Sequence, residues 1–337
     1  MQKSIYHAVI LAILFCLGLN RAQAQETYKN PVLDRNFPDP AVIQSPDGYF
    51  YAYATQGSVN IQIARSKDLV HWTHLGGAMP VKPDWADQTQ DFWAPHVLYD
   101  DERKTYYLYF SSTHNTKEGH CIGVATAEQP TGPFKDVEQP IICGEGFVDI
   151  DPMAFDDPQT GKKLLYWGSG FEPLKVRELA DNRIEFKRGS ETVPVVHPKK
   201  EANYTNLLEG PWVSFHNGKY YLYYSGDNCC GKEANYAVMV ARSASAMGPF
   251  TRLGEVNASG SSVILAKSSD WLAPGHNAVI TDGQGREWIL YHAIDGTPED
   301  GTMSYGRVML LDRIFYENGW PRIEKGQPST EAPSPDL

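Results

Sequence analysis

Positive charge is scarce in this 337-residue chain: 30 Lys and Arg stand against 41 Asp and Glu, a net charge of −11. A surface that tracks a phosphate backbone needs the opposite balance, so nucleic acid is excluded as a partner. Cysteine is also rare, with five in the whole chain. Cys229 and Cys230 are adjacent, without the two-residue gap of a zinc knuckle and without a second Cys or His pair to complete one. The Gly-x-Ser-x-Gly elbow of a serine hydrolase is missing, and Cys121 and Cys143 stand in no nucleophile context. Sustained helical periodicity is lacking, which removes bundles and coiled coils. The apolar run from Ala8 to Leu19 falls short of the roughly 20 residues a membrane-crossing helix needs. With Lys3 before it and Ala22-Gln23-Ala24 after it, residues 1–24 instead read as a signal peptide cut after Ala24. The mature protein, residues 25–337, is then one exported domain, periplasmic or extracellular, with no membrane span. That compartment permits disulfides, and Cys229-Cys230 reads as two structural thiols or a vicinal disulfide in a loop.

What the chain has in quantity is aromatic residues, at 12%, together with 29 Gly and 23 Pro, the mark of short strands and many turns. These residues recur in a pattern. Tyr49–Tyr53, Tyr106–Phe110, Leu164–Trp167, Tyr220–Tyr224 and Trp288–His292 are alike and begin 57, 58, 56 and 68 residues apart. A short strand-opening segment precedes each one: at Asp39-Pro40, Pro95-His96, Asp151-Pro152, Glu209-Gly210-Pro211 and His276-Asn277. In four units a third strand follows, at Ile61–Ser66, Ile122–Ala125, Val176–Leu179 and Ala237–Ser243. Small antiparallel sheets repeated at near-constant spacing predict an all-β, five-bladed β-propeller. A β-sandwich holds as many strands but does not return the same signature at a fixed period. The proline-rich tail from Gln327 to Leu337 reads as a frayed terminus.

In a propeller the first strand of each blade lines the central channel, so the five openings converge on one mouth. They bring Asp39, His96, Asp151, Glu209 and His276 together. An isolated Asp-Pro is usually a turn residue satisfying local amides, but three acids in repeat register point to chemistry. Facing carboxylic groups are what glycoside hydrolysis uses, one to protonate the leaving oxygen and one to activate water. A third acid nearby raises the proton donor's pKa. Phe37, Phe92, Trp93, Phe147 and Trp212 lie within a few residues of the same mouth and offer rings for sugar faces, although any one of them also suits a propeller core.

Taken in order, several motifs resemble glycoside hydrolase family 43. They are Asn30-Pro31-Val32-Leu33 with Phe37-Pro38-Asp39-Pro40, Ser66–Trp72, Trp93-Ala94-Pro95-His96, Ile150-Asp151-Pro152, Glu209-Gly210-Pro211, Gly248-Pro249-Phe250, Pro274–Asn277 and Gly319-Trp320-Pro321. The likeness runs from about Asn30 to Ile323. It implies a five-bladed propeller and an inverting mechanism, with Asp39 as general base, Glu209 as general acid, and Asp151 tuning and orienting Glu209. A water must fit between base and anomeric carbon, so the resemblance implies an Asp39 to Glu209 carboxyl separation of about 6.5 to 9.5 Å. Arg307 matches an arginine that contacts the acid or the sugar. His276 matches a histidine facing a channel ion, commonly calcium, although calcium itself prefers oxygen ligands. Asp149 falls on the opposite face of an extended strand from Asp151 and receives no catalytic role.

The substrate implied is an oligo- or polysaccharide carrying α-L-arabinofuranosyl linkages, but two signals differ on the mode of attack. Ser225–Gly231, containing Asp227-Asn228-Cys229-Cys230, followed by Tyr236, is similar to the arabinanase branch. The opening from Asn30 to Asp39 is similar to exo-acting arabinofuranosidases and xylosidases. The sequence gives terminal or side-chain cleavage a slight preference over endo-α-1,5-arabinanase, β-xylosidase and a non-catalytic carbohydrate-binding propeller. Related fructoside-cleaving propellers carry Asn-Asp-Pro-Asn-Gly and Arg-Asp-Pro, which this chain does not.

Overall fold

Four of the five aromatic repeats become the second strand of a four- or five-stranded antiparallel sheet, and the fifth becomes the second strand of a three-stranded one. The computed structural model describes residues 26–200, 203–298 and 304–337, and the signal peptide expected from the sequence lies outside the described residues. Blade 1 runs Ala41–Gln44, Phe50–Ala54, Gln62–Ser66 and Thr73–Gly77, and blade 3 runs Met153–Asp156, Lys163–Trp167, Leu174–Glu178 and Val193–Val196. Blades 2 and 4 begin at Phe92–Asp100 and Leu208–His216, and each places two short strands against its third. Blade 5 consists of Trp271–Thr281, Glu287–Asp295 and Arg307–Arg313, so the third strand that the repeat left unread in this unit is present. The molecule is a five-bladed β-propeller.

The alternation that makes these segments strands also ties the blades together. One face of each second strand fills the space between blades, and tyrosine hydroxyls at its far side donate to backbone carbonyls of the neighbour. Tyr53 reaches Pro130 O at 2.6 Å and Tyr109 reaches Arg183 O at 3.0 Å. Tyr166 bonds Ala246 O, and Tyr221 reaches Gly319 O at 2.8 Å. A buried phenol needs such a partner, so the aromatic repeat sets both core volume and inter-blade register.

Blade 5 lacks a fourth strand of its own, and the N-terminal segment supplies the missing edge. Leu33 and Met309 exchange backbone hydrogen bonds at 3.2 Å, and Phe37 N–H donates to Arg307 O at 2.8 Å. The chain then passes directly into Asp39 and blade 1, closing the ring. The tail is not frayed, contrary to the sequence expectation: Glu331–Pro333 pairs with Thr27–Lys29, and Arg286 holds Asp336 at 2.8 Å. Its prolines are compatible with a two-stranded edge, where few backbone donors are required.

Candidate active site

A ring of five residues at the entries of the first strands organises the mouth of the channel. Asp39, Ala94, Asp151, Gly210 and His276 all have left-handed backbone, with φ of 57°, 42°, 60°, 60° and 49°. A left-handed residue turns its N–H away from the ladder, so that donor needs a partner elsewhere. The N–H of Ala94 finds Thr55 Oγ1 at 2.9 Å, that of Asp151 finds Ser111 Oγ at 2.9 Å, and that of His276 finds Ser225 Oγ at 2.8 Å. Asp39 N–H finds His292 Nδ1 at 3.1 Å. In blade 4 the sequence differs: Gly210 N–H goes to Asp151 Oδ2 at 3.0 Å, and Ser169 donates to Glu209 Oε2 at 3.0 Å. Backbone strain of this kind persists where surrounding contacts over-determine it, commonly at functional sites.

This arrangement brings Asp39, Asp151 and Glu209 together with Arg307 and His276 in one cavity of about 930 Å³ lined from all five blades. Asp39 is clamped on both oxygens: Arg307 Nη1 donates to Oδ1 at 2.7 Å and Thr55 Oγ1 donates to Oδ2 at 2.5 Å. Burial alone would raise the Asp39 pKa, but Arg307, with help from His276 and His292, holds it well below the ordinary carboxylate range. Arg307 is the charge that matters near neutral pH, because burial keeps His276 below its usual pKa and takes His292 down to about 4.

Glu209 is in the reverse position. Burial pushes its pKa up, against hydrogen bonds from Tyr236 Oη at 2.7 Å and from Ser169 that favour the ionised form. Asp151 also rises well above the ordinary value, through burial first and then the charges of Glu209 and Asp39. Two buried acids whose pKa values rise, beside a third that Arg307 holds toward its ionised form, pair a standing negative charge with an available proton. Asp151 additionally fixes the peptide after Glu209 through Gly210 N–H.

Of the residues expected to meet substrate, Trp93, Phe147 and Arg307 line the cavity. Trp93 and Phe147 flank the His120 ring, with centroids at 4.7 and 4.9 Å, and Phe147 is 55% exposed. Phe37 does not belong with them: it is fully buried, edge-on to His74, because the closing segment turns it into the core between blades 5 and 1. Phe92 and Trp212 are buried as well. His96 does not reach the cavity either. The strand of blade 2 starts at Phe92 and bulges between Trp93 and His96, so Ala94 takes the rim position. His96 sits deeper, accepts Ala154 N–H at 3.3 Å, packs on Trp212, and is pushed by burial to a pKa of about 3. The Pro register showed this: Asp39-Pro40, Ala94-Pro95, Asp151-Pro152 and Gly210-Pro211 align, and His96 is two residues too far in. Asp149 lies off the site as expected, accepting from Trp167 Nε1 at 2.7 Å.

Sequence reading passed over Thr55, Ser169, Tyr236 and His292. Thr55, Ser111, Ser169, Ser225 and His292 all stand just after or at the end of an aromatic strand, a small polar residue at one repeat position that marks the ring. His276, which the resemblance places facing a channel ion, offers one ring nitrogen at the rim. His276 Nδ1 lies 3.5 Å from Asp39 Oδ1 and 3.9 Å from Asp151 Oδ2, and no group of three His, Cys, Asp or Glu suited to a metal occurs among the described residues.

A paired-acid cavity on a five-bladed propeller defines a glycoside hydrolase. Residues 28–321 match the model of glycosyl hydrolases family 43, and the chain belongs to that family as an inverting O-glycosyl hydrolase. It is 27% identical over 91% of its length to a probable arabinan endo-1,5-alpha-L-arabinosidase A of Aspergillus flavus, covering 98% of that protein. It is 26% identical over 84% of its length to the extracellular endo-alpha-(1->5)-L-arabinanase 1 of Bacillus subtilis, covering 86% of it. A thermostable family-43 glycoside hydrolase superposes with a TM-score of 0.77 at 28% identity, over 92% of this chain and 99% of that one.

Proposed function

We propose that the protein hydrolyses α-L-arabinofuranosyl bonds of arabinan, with Asp39 as base, Glu209 as acid and Asp151 as the group that orients Glu209 and tunes its pKa. The opposed states of Asp39 and Glu209 carry this reading: one carboxyl is locked ionised by Arg307 and Thr55, and the other is buried and proton-holding. Asp39 takes a proton from a water whose oxygen bonds to the anomeric carbon. The glycosidic C–O bond breaks as Glu209 gives its proton to the departing oxygen. The products are a hemiacetal at the new reducing end and the alcohol of the departing sugar, and solvent returns the proton from Asp39 to Glu209. Water enters opposite the leaving group, so the configuration inverts.

Internal cleavage of the α-1,5 backbone is the mode favoured by the names of the curated relatives, several of them endo-arabinanases. The cavity agrees with it. Its volume stands near the top of the roughly 300–1,000 Å³ range of small-ligand pockets, and the exposed rings of Phe147 and Phe171 extend it beyond the acids. Terminal release, slightly preferred from sequence, keeps one observation in its favour: a xylan 1,3-beta-xylosidase of a Vibrio species is 27% identical over 92% of this chain, which spans 60% of that protein. Export remains part of the proposal, and no described helix is long and apolar enough to cross a membrane. The deciding experiment is product analysis on debranched arabinan, branched arabinan and nitrophenyl arabinofuranoside and xyloside, with anomers followed by proton NMR. Inverted oligomers from debranched arabinan support internal attack, and arabinose alone supports terminal attack. No product from any of the four substrates overturns the proposal.

A further inference from the structure

Cys229 and Cys230 are joined to each other, and both line the cavity. They open the turn between the two strands of blade 4 that end at Asn228 and begin at Asn235. Cys229 packs on a small buried cluster made of Tyr236, Ala273 and Ile294, and Tyr236 is the residue whose hydroxyl donates to Glu209 Oε1 at 2.7 Å. The disulfide therefore stands on the Glu209 side of the cavity, and Arg307, Asn36, Thr55 and Gln56 surround Asp39 on the other side. In an inverting displacement water enters from the base and the leaving group departs past the acid. Whatever lies beside Glu209 touches the sugar that leaves.

We infer that the Cys229–Cys230 disulfide is a specificity-determining contact of the leaving-group subsite, recognising the C–H face of the pentose that carries the scissile oxygen. This inference rests on the hydrolase reading above and adds the residue that selects a sugar over another leaving group. A disulfide between neighbours presents two polarisable sulfurs with no donor. It also ties the turn into one small ring, so little ordering entropy is lost when a ligand docks. Two free thiols or two alanines would leave the turn looser and the apolar surface divided.

The test compares wild type with the Cys229→Ala/Cys230→Ala variant on α-1,5-arabino-oligosaccharides and on nitrophenyl arabinofuranoside, whose leaving group is an aryl ring. Loss of one apolar contact raises KM for the oligosaccharide by about tenfold, with a much smaller change in kcat/KM for the aryl substrate. An equal fall in kcat on both substrates, or no change on either, overturns the inference. A second measurement avoids the disulfide variant altogether. In Glu209→Gln protein, reduction of Cys229–Cys230 by a water-soluble phosphine is followed by alkylation and mass spectrometry; the phosphine becomes its oxide, and water supplies the oxygen and the two thiol protons. Saturating arabinohexaose is expected to slow this reduction and free arabinose is not, with the Cys121–Cys143 bond, buried at Cys121 and away from the cavity, as internal control. An unchanged rate with arabinohexaose overturns the inference. Wild type inactive on every arabinan substrate would instead remove the reading under Proposed function, so the two failures are distinguishable.

Discussion

Glu209 and Asp39 differ less in their chemistry than in what surrounds them, and substitutions can separate their roles. Glu209→Gln removes the proton donor without changing shape, so turnover of arabinan is expected to fall by about 10² to 10⁴-fold. A nitrophenyl arabinofuranoside, whose leaving group needs little protonation, is expected to lose far less; steady-state kinetics on both substrates checks this. Tyr236→Phe tests the environment rather than the acid. The Tyr236 hydroxyl stabilises ionised Glu209 and so lowers its pKa. A hydrogen bond to a charged group is worth about 1.5–3 kcal/mol and a pKa unit 1.36 kcal/mol. Activity is present while the acid keeps its proton and is lost as pH rises through its pKa. Removing the hydroxyl therefore moves the alkaline limb of the kcat/KM profile up by about one unit, and an unmoved or lowered limb would contradict the assignment. At this scale the sequence showed which acids meet where chemistry and repeat position coincide: Asp39, Asp151 and Glu209 share the cavity. It misled at Phe37 and His96, because a residue's distance along the chain from the rim does not say which way a strand face turns. Phe37 faces the core, and a bulge displaces His96.

Bulged strand entries show how the elements carry the site. Gly210 has φ near 60°, and a Cβ there would meet the His276 ring at 3.2 Å. Gly210→Ala therefore strains the backbone next to Glu209 and presses on His276 at once. A loss of activity of at least tenfold and a drop of a few degrees in Tm are expected, the latter matching roughly 1–2 kcal/mol in a chain of this size. Circular dichroism melts with parallel kinetics provide the check. The strands themselves were visible because aromatic alternation and turn residues both have fixed periods. The bulges were not visible, since the signal for one is a single residue before a proline. Nor was the tail's pairing, whose three residues depend on a partner some 300 positions away in sequence.

At the scale of the whole molecule, stability depends on one seam. Asn30 spans it: its side chain donates to Leu311 O at 2.9 Å and Ser329 O at 3.0 Å and accepts Leu311 N–H at 2.9 Å. Asn30→Ala leaves the Leu311 N–H without its partner and takes one donor each from Ser329 O and from Leu311 O, which keeps the Tyr28 hydroxyl, at about 1–3 kcal/mol for the unmet group. A clear fall in the urea midpoint is expected, with KM for arabinan rising as Arg307 loses its fixed place; an unchanged midpoint would show that the seam contributes little. Five-fold repetition was legible from spacing alone. Closure was not, because the segment that completes blade 5 carries no repeat signature and is recognisable only by where it ends.

That seam also sets an order in time. Arg307 meets Asp39 across 268 positions of chain, so the ribosome releases the base almost at the outset and its guanidinium partner almost at the end. Contacts this distant form late and slowly. Until the final blade has been made and docked, Asp39 lacks its guanidinium partner and the cavity lacks a wall, so a nascent chain does not yet hold the proposed site.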